Sequence, residues 1–140
     1  MEELLNYKFL LMPLIVWFGI QLFKTFYCFF ETKKWDWSRL WGSGGMPSSH
    51  SAVVTCLAAT IGKAEGFTSP VFAVSAILAF IVMYDAAGVR RAVGKQAKVL
   101  NDILSDVNKT SVEKLQEMTG HTPVQVATGA IIGIIVGLLF

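Results

Sequence analysis

The chain has 140 residues, of which 54% are hydrophobic and 16% are charged, against about 45–50% and 25% in soluble proteins. A soluble chain this short buries only about two-thirds of its surface, so an apolar surplus of this size would remain in contact with water. The net charge of +2 and the absence of a basic run interleaved with aromatic residues argue against nucleic acid as a partner. A single domain in a lipid bilayer fits these numbers.

Four apolar stretches predict transmembrane helices, over residues 9–30, 47–62, 70–89 and 123–140. The first is long enough for a hydrocarbon core of about 30 Å at roughly 1.5 Å per residue. The second is the shortest, and it opens with a polar Ser-Ser-His-Ser turn that lipid cannot surround. Residues 1–140 are therefore predicted to form one all-α integral membrane domain, a polytopic bundle of about four transmembrane helices.

The longest polar segment, residues 90–122, lies between the third and fourth spans. Apolar residues recur in it at the i, i+3, i+4 and i+7 spacing of an amphipathic helix, which would lie on the membrane or on the bundle: Leu100, Ile103, Leu104 and Val107. A second short helix is predicted to begin at Thr110, which forms a capping-box pattern with Glu113, and to end at Gly120.

The basic residues predict the orientation in the membrane. Loops 31–45 and 90–122 lie on the same side because two spans separate them, and together they hold nine of the 12 lysines and arginines. The opposite side has only Lys8 and Lys63. By the positive-inside rule both long loops are cytoplasmic and both termini lie outside. We expect a multi-pass protein of the plasma membrane.

Three polar motifs are then expected at the cytoplasmic face. The first, GGMPSSHS at residues 44–51, opens the second span. Its glycines let the backbone approach an anion, and a helix N-terminus with the hydroxyls of Ser48 and Ser49 offers hydrogen-bond donors. His50 beside them could protonate a leaving oxygen. The alternative is a serine-capped helix start with an interfacial histidine.

The second motif, YDAAGVRR at residues 84–91, closes the third span. Arg90 or Arg91, if aimed inward, would clamp phosphate oxygens with a planar guanidinium. Paired arginines at a cytoplasmic helix end also serve as topology anchors. Asp85 is expected to pair with one of these arginines in a structural role.

The third motif, GHTPVQV at residues 120–126, opens the fourth span. His121 stands just before the proline of the helix start, and Gln125, four residues further on, shares its face. A lone histidine in such a place is more often interfacial. Two histidines at two helix starts, with arginines at an adjacent helix end, instead predict a single anion site.

These residues resemble the type 2 phosphatidic acid phosphatase superfamily, which includes acid phosphatases and vanadium-dependent haloperoxidases, and most closely its small divergent branch. The superfamily motif Pro-Ser-Gly-His is similar to Pro-Ser-Ser-His at residues 47–50. Its third motif has an arginine at a helix end, matched by Arg90 or Arg91, followed by a histidine pattern matched at residues 120–129. The resemblance covers residues 20–137.

The resemblance implies a phosphomonoesterase that uses no metal or other cofactor. In such an enzyme His121 would attack phosphorus and become a phosphohistidine, and His50 would protonate the leaving alkoxide. Arginines and helix amides would hold the equatorial oxygens and stabilise their charge. The residues themselves also suggest no metal site, because no cluster of carboxylate, histidine or cysteine ligands is apparent in the sequence.

Three departures from the family pattern keep an alternative open. The interval from the arginines to His121 is lengthened by the loop over residues 90–120. The first family motif, Lys-x6-Arg-Pro, is absent, and Lys24 and Arg39 are the candidate substitutes for its phosphate-binding cations. Lys24 could equally extend its amine to the interface. Gln125 occupies the position of the carboxylate that orients the nucleophile, and an amide cannot stabilise imidazolium by charge.

The sequence therefore predicts a membrane phosphatase that hydrolyses a lipid phosphate or diphosphate among membrane lipids. The alternative is a catalytically inactive protein that binds or translocates such a lipid, for which Gln125 is the strongest indication. A third reading is a structural bundle subunit, because Gly129, Gly133 and Gly137 form a small-residue stripe suited to helix packing within the chain or between copies. A homo-oligomer is compatible with so thin a bundle.

Overall fold

A computed structural model describes residues 2–35, 37, 45–106, 114–117 and 119–140. Five α-helices form in this part of the chain: α1 (Glu2–Thr32), α2 (Ser49–Glu65), α3 (Pro70–Ala87), α4 (Val89–Asp106) and α5 (Pro123–Leu139). The described residues form no β-strand. The prediction of an all-α membrane bundle is confirmed.

Several of the observed helices begin or end at residues other than those of the predicted spans, and at α2 the capping residues set the ends. α1 begins at Glu2, well before residue 9. α2 begins at Ser49 because Ser48 is its N-cap. It ends at Glu65 and is followed by Gly66, whose φ of 90° favours glycine. α3 ends at Ala87, and α4 starts immediately after Gly88, whose amide still donates to the carbonyl of Tyr84.

α2 is the central helix of the bundle and packs against α1, α3 and α5. Small side chains dominate its buried positions, and Ala52, Cys56 and Ser51 have no exposed surface. Small residues permit the close backbone approach that drives helix packing where lipid removes the hydrophobic effect. Cys28 and Cys56 are free and buried, as expected of thiols acting as small apolar residues.

The glycine stripe of α5 packs against α2 within the chain. A Cβ atom at Gly129 would lie 2.2 Å from the carbonyl oxygen of Ser48, and one at Gly133 would lie 2.2 Å from that of Ala52. The corresponding distance from Gly137 to the carbonyl oxygen of Cys56 is 2.5 Å. At all three levels the α5 backbone therefore rests directly on the carbonyls of α2.

The outer faces of α1, α3 and α5 are apolar. Two stretches are long and apolar enough to cross a membrane, Tyr7–Thr32 with 26 residues and Pro70–Ser105 with 36 residues, and Pro123–Leu139 is a shorter apolar helix. Large hydrophobic side chains on these faces are exposed: Leu14, Phe18, Val74, Ile77, Ile81, Ile131 and Ile135. Each would cost about 1.5–3 kcal/mol relative to burial if it faced water, so these surfaces suit lipid.

α4 is the amphipathic helix of the long polar loop, and Leu100 and Ile103 on its apolar face are exposed. The predicted second helix is wrong in its described part, because residues 114–117, 119 and 120 are not helical. The side-chain amide of Asn101 explains the difference. It donates to the carbonyl of Leu115 at 2.8 Å and accepts from the amide of Leu115 at 2.9 Å, which holds the chain along α4. The predicted start of this helix at residues 110–113 lies outside the described residues, as does residue 107.

The α2–α5 contact predicts opposite effects for two glycine substitutions. Gly133→Ala should destabilise the fold by about 1–3 kcal/mol, because a methyl group would force the two backbones apart. Gly19→Ala is the matched control. A Cβ atom there meets nothing within 4 Å, so the better helix propensity of alanine should leave stability unchanged or raise it by up to about 1 kcal/mol. Thermal unfolding in detergent measures both, and equal unfolding temperatures for the two variants would contradict the packing described.

Candidate functional site

The first turn of α2 is fixed by serine hydroxyls. The Oγ of Ser48 accepts hydrogen bonds from the amide of Ser51 at 3.4 Å and from the hydroxyl of Ser51 at 3.0 Å. Ser48 is fully buried and Ser49 nearly so. Gly45, at the end of the preceding glycine-rich segment, has a φ of 75°, a conformation that favours glycine. Ser48 thus acts first as a helix cap, and His50 follows it within the same turn.

The start of α5 is fixed by a capping box that the sequence interpretation missed. The amide of Gln125 donates to Oγ1 of Thr122 at 3.3 Å, and the amide of Thr122 donates to Oε1 of Gln125 at 2.9 Å. The Thr-x-x-Gln spacing, with proline at the first helical position, is a recognised signal for this arrangement. His121 immediately precedes the cap, so its backbone position is set by it.

Backbone hydrogen bonds join the polar ends of three helices. The amide of Ser48 donates to the carbonyl of Gln125 at 3.1 Å, which connects α2 to α5. The amide of His121 donates to the carbonyl of Ala86 at 3.1 Å, which connects the start of α5 to the end of α3. The three predicted polar motifs therefore lie at one end of the bundle.

The two histidine rings lie close together at this end. Their centroids are 6.5 Å apart, and the ring planes are inclined at 56°. His121 is almost completely buried, with 2% of its surface exposed, whereas His50 is half-buried. A single small ligand could contact both rings, because His121 lies inside the bundle and His50 lies at its rim.

Two cations stand beside the histidines. Lys24 of α1 is 8% exposed and interacts electrostatically with both His50 and His121. Arg90, in the first turn of α4, interacts electrostatically with His50, and its Nε donates to Oδ2 of Asp85 at 2.5 Å. The expected pairing of Asp85 with an arginine is thus present, and its partner is Arg90.

Arg91 stands apart from this group. The side chain of Arg91 is exposed, and its backbone packs so closely against Gly120 that a Cβ atom there would lie 2.3 Å from the Cα atom of Arg91. Arg39 lies outside the described residues. Of the two arginines that the sequence left open at residues 90 and 91, Arg90 is the one near His50.

The environment of His121 favours its neutral form. Burial is the main cause that lowers the pKa of His121 below the ordinary value of 6.5, and the charges of Lys24 and His50 lower the pKa further. Gln125 and a backbone hydrogen bond with Gly45 act in the opposite direction on the same pKa. The net effect leaves His121 uncharged at neutral pH, the form in which an imidazole nitrogen has a free lone pair.

Gln125 serves the helix cap as well as the histidine. Its Oε1 accepts from the backbone of Thr122, and Nδ1 of His121 has no hydrogen-bond partner among the described residues. Gln125 therefore interacts with the imidazole without the negative charge that a carboxylate would bring. Among the same residues, no group of three or more histidine, cysteine, aspartate or glutamate side chains could hold a metal ion.

Membrane-embedded helices whose ends bring two histidines together with an arginine define a membrane protein related to the phosphatidic acid phosphatases. The chain belongs to the Divergent PAP2 family, whose family model matches residues 5–136. It is 40% identical over 153 aligned residues to the uncharacterized membrane protein YuiD of Bacillus subtilis (strain 168), with 99% of this chain and 96% of that protein covered. No solved structure matches the chain. The resemblance seen in the sequence is confirmed at the level of the family.

The charge of Lys24 predicts a change in the titration of His121. The pKa of His121 should lie below 6.5, and Lys24→Met should raise that pKa, because removal of a nearby positive charge makes imidazolium easier to form. Lys8→Met is the matched control, since Lys8 lies near the opposite end of α1. NMR of protein with isotope-labelled histidine in detergent gives both pKa values. A pKa that responds equally to the two variants would contradict the proximity of Lys24.

Proposed function

We propose that the protein is a metal-independent membrane phosphatase that hydrolyses a lipid phosphate or diphosphate through a phosphohistidine intermediate. The observation that carries the proposal is the pair of histidine rings with centroids 6.5 Å apart at the shared end of three helices. Membership of a phosphatase-related family supports the same chemistry. Each side chain of the site then has a separate part in the reaction.

The first half of the reaction transfers the phosphoryl group to the protein. A ring nitrogen of neutral His121 attacks phosphorus and forms the P–N bond while the bond from phosphorus to the lipid oxygen breaks. His50, in its protonated form, donates its proton to that oxygen, so the lipid leaves as an alcohol, or as a monophosphate when the substrate is a diphosphate. In the second half His50 accepts a proton from water, which attacks phosphorus and releases phosphate and His121.

Positive charge at the site stabilises the transferred group. Arg90 and Lys24 are the cations near the histidines, and the amides of Ser49 and His50 in the first turn of α2 precede the intrahelical hydrogen bonds and can donate to an anion. Arg90 would exchange Asp85 for phosphate when the substrate binds. Fixed donors in a site partly closed to water stabilise the charge of the transition state more strongly than water can.

A lipid substrate follows from the place of the site. The histidines lie at the ends of helices with apolar outer faces, so the reacting phosphate would be at the level of the lipid headgroups. A soluble phosphate ester has no apolar part to exploit this position. We propose that the protein lies in the plasma membrane and takes its substrate from the cytoplasmic leaflet, because most lysines and arginines lie in the loops at the end of the bundle that holds the site.

Phosphate release by purified protein tests the proposal. With phosphatidate or a polyprenyl diphosphate as substrate, His121→Ala should reduce release to background, and His50→Ala should slow it by about 10²–10⁴-fold, the usual value of a general acid. Lys8→Met, far from the site on α1, should retain the wild-type rate. Equal release by wild type and both histidine variants would exclude the mechanism.

Binding or translocation of a lipid phosphate without turnover is the second candidate function. It is favoured by one observation, that Oε1 of Gln125 caps α5 and that this neutral amide, not a carboxylate, is the side chain that interacts with His121. Without a carboxylate partner, the imidazolium that forms during group transfer has less stabilisation. The same cations would still bind a phosphate group.

Gln125→Glu separates the two functions. Glutamate can keep the capping box with Thr122, because its carboxylate also accepts from a backbone amide, and it adds a negative charge beside His121. A hydrolase should keep or increase its rate, whereas a carrier should remain inactive in the same phosphate-release assay. Gln125→Met is the matched variant, since it removes the cap without adding charge. A hydrolase that loses all activity on Gln125→Glu while folding normally would contradict the assigned role of this position.

A further inference from the structure

An apolar groove runs along α1 on the side that faces α5. Its volume is about 640 Å³, within the range of about 300–1,000 Å³ usual for ligand pockets. Its lining is mainly apolar and comes from both helices: Gly19, Ile20, Phe23, Tyr27, Thr128 and Ile132. The groove exists because α1 packs mainly on α2 and only slightly on α5, and because Gly19 has no side chain to fill the space.

The groove is continuous with the candidate site. Lys24 lines the groove and interacts electrostatically with both histidines. Gly45 also lines it, and the backbone of Gly45 is hydrogen-bonded to the side chain of His121. One region of the groove therefore carries a nearly buried cation beside the histidine pair. Glu31 and Thr32 line the end of the groove nearest the end of α1, and the lining on the Gly19 side of Lys24 is mainly apolar.

The axis of α1 gives the groove a direction. Gly19 precedes Lys24 by five residues, which is about 8 Å along a helix, and it lies near the middle of the apolar stretch Tyr7–Thr32. From the cation one part of the groove thus extends toward the middle of the membrane, and another, lined by Cys28, Glu31 and Thr32, extends toward the end of α1. An occupant with a negative head and an apolar tail matches this distribution of charge and depth.

We propose that this groove binds the hydrocarbon chain of a lipid phosphate whose phosphate group lies between Lys24 and the two histidines. The proposal rests on the proposed function and adds to it a binding position for the hydrocarbon chain of the substrate. The groove differs from an ordinary lipid-facing surface, because Lys24 lines it and is nearly buried there instead of extending to the membrane interface. The position of its charge beside both histidines places the negative head of the ligand at this level of the groove.

Gly19→Leu tests the groove by filling its deep part. A side chain at this position meets no other atom within 4 Å of its Cβ, so the variant should fold. The KM for dioleoyl phosphatidate should rise about tenfold, the effect of displacing roughly two methylene groups from an apolar site. The KM for p-nitrophenyl phosphate, which has no chain, should not change. Ala73→Leu, which adds the same bulk to the exposed face of α3, is the matched control. An equal effect on both substrates, or an equal effect of Ala73→Leu, would overturn the proposal.

Alkylation of Cys28 gives a measurement that does not depend on turnover. Cys28 lines the groove, whereas Cys56 is fully buried between α2 and α5 and serves as an internal control in the wild-type chain. Dioleoyl phosphatidate at ten times its Kd should slow the reaction of Cys28 with N-ethylmaleimide about tenfold by occupancy. Inorganic phosphate and oleyl alcohol at the same concentration should not, and mass spectrometry of the peptides reads each cysteine separately.

The outcomes separate the groove from the phosphatase. Protection of Cys28 by the lipid phosphate without phosphate release would support the groove and refute the hydrolase. Phosphate release without protection of Cys28 would support the hydrolase and overturn the groove. Equal protection by oleyl alcohol would also overturn it, because the chain would then bind without any contribution from the phosphate group.

Discussion

The close approach of α5 to α2 is the constraint on which the rest of the molecule depends. Gly129, Gly133 and Gly137 bring the α5 backbone onto the carbonyls of α2, and the outermost of these contacts is made by Gly129 with Ser48, the N-cap of α2. Because both helices start at this level, their capping residues become neighbours, and the Ser48 amide bonds to the carbonyl of Gln125. The glycine contacts between α5 and α2 in the membrane interior thus determine which residues meet at the membrane surface.

The caps also determine the chemistry. Each histidine is adjacent to a cap, His50 two residues after Ser48 and His121 one residue before Thr122. The same local hydrogen bonds that begin the helices therefore fix the histidine backbones, and burial then keeps His121 neutral by lowering its pKa. The cations arrive from other elements, Lys24 from α1 and Arg90 from α4. The cations and the candidate nucleophile His121 come from different parts of the chain, so the site forms only when the whole bundle is folded.

Much of the fold could be predicted from the sequence because the signals are local. Apolar runs, prolines at the starts of α3 and α5 and serine or threonine caps mark the helices, and the all-α membrane class and the family are confirmed. The predicted helix from Thr110 to Gly120 failed in its described part for a tertiary reason. The amide of Asn101, which lies on α4, competes for the backbone of Leu115, and a local capping pattern contains no information about that contact.

The sequence by itself determined that this chain is a helical membrane protein with histidines and arginines near helix ends, because hydropathy and short motifs depend on neighbouring residues alone. Tertiary structure alone decided that Arg90 rather than Arg91 stands near His50 and that Lys24 lies nearly buried beside both histidines. It also formed the groove between α1 and α5. These features arise from residues far apart in the chain, and their distances are set by helix packing, which no local pattern encodes.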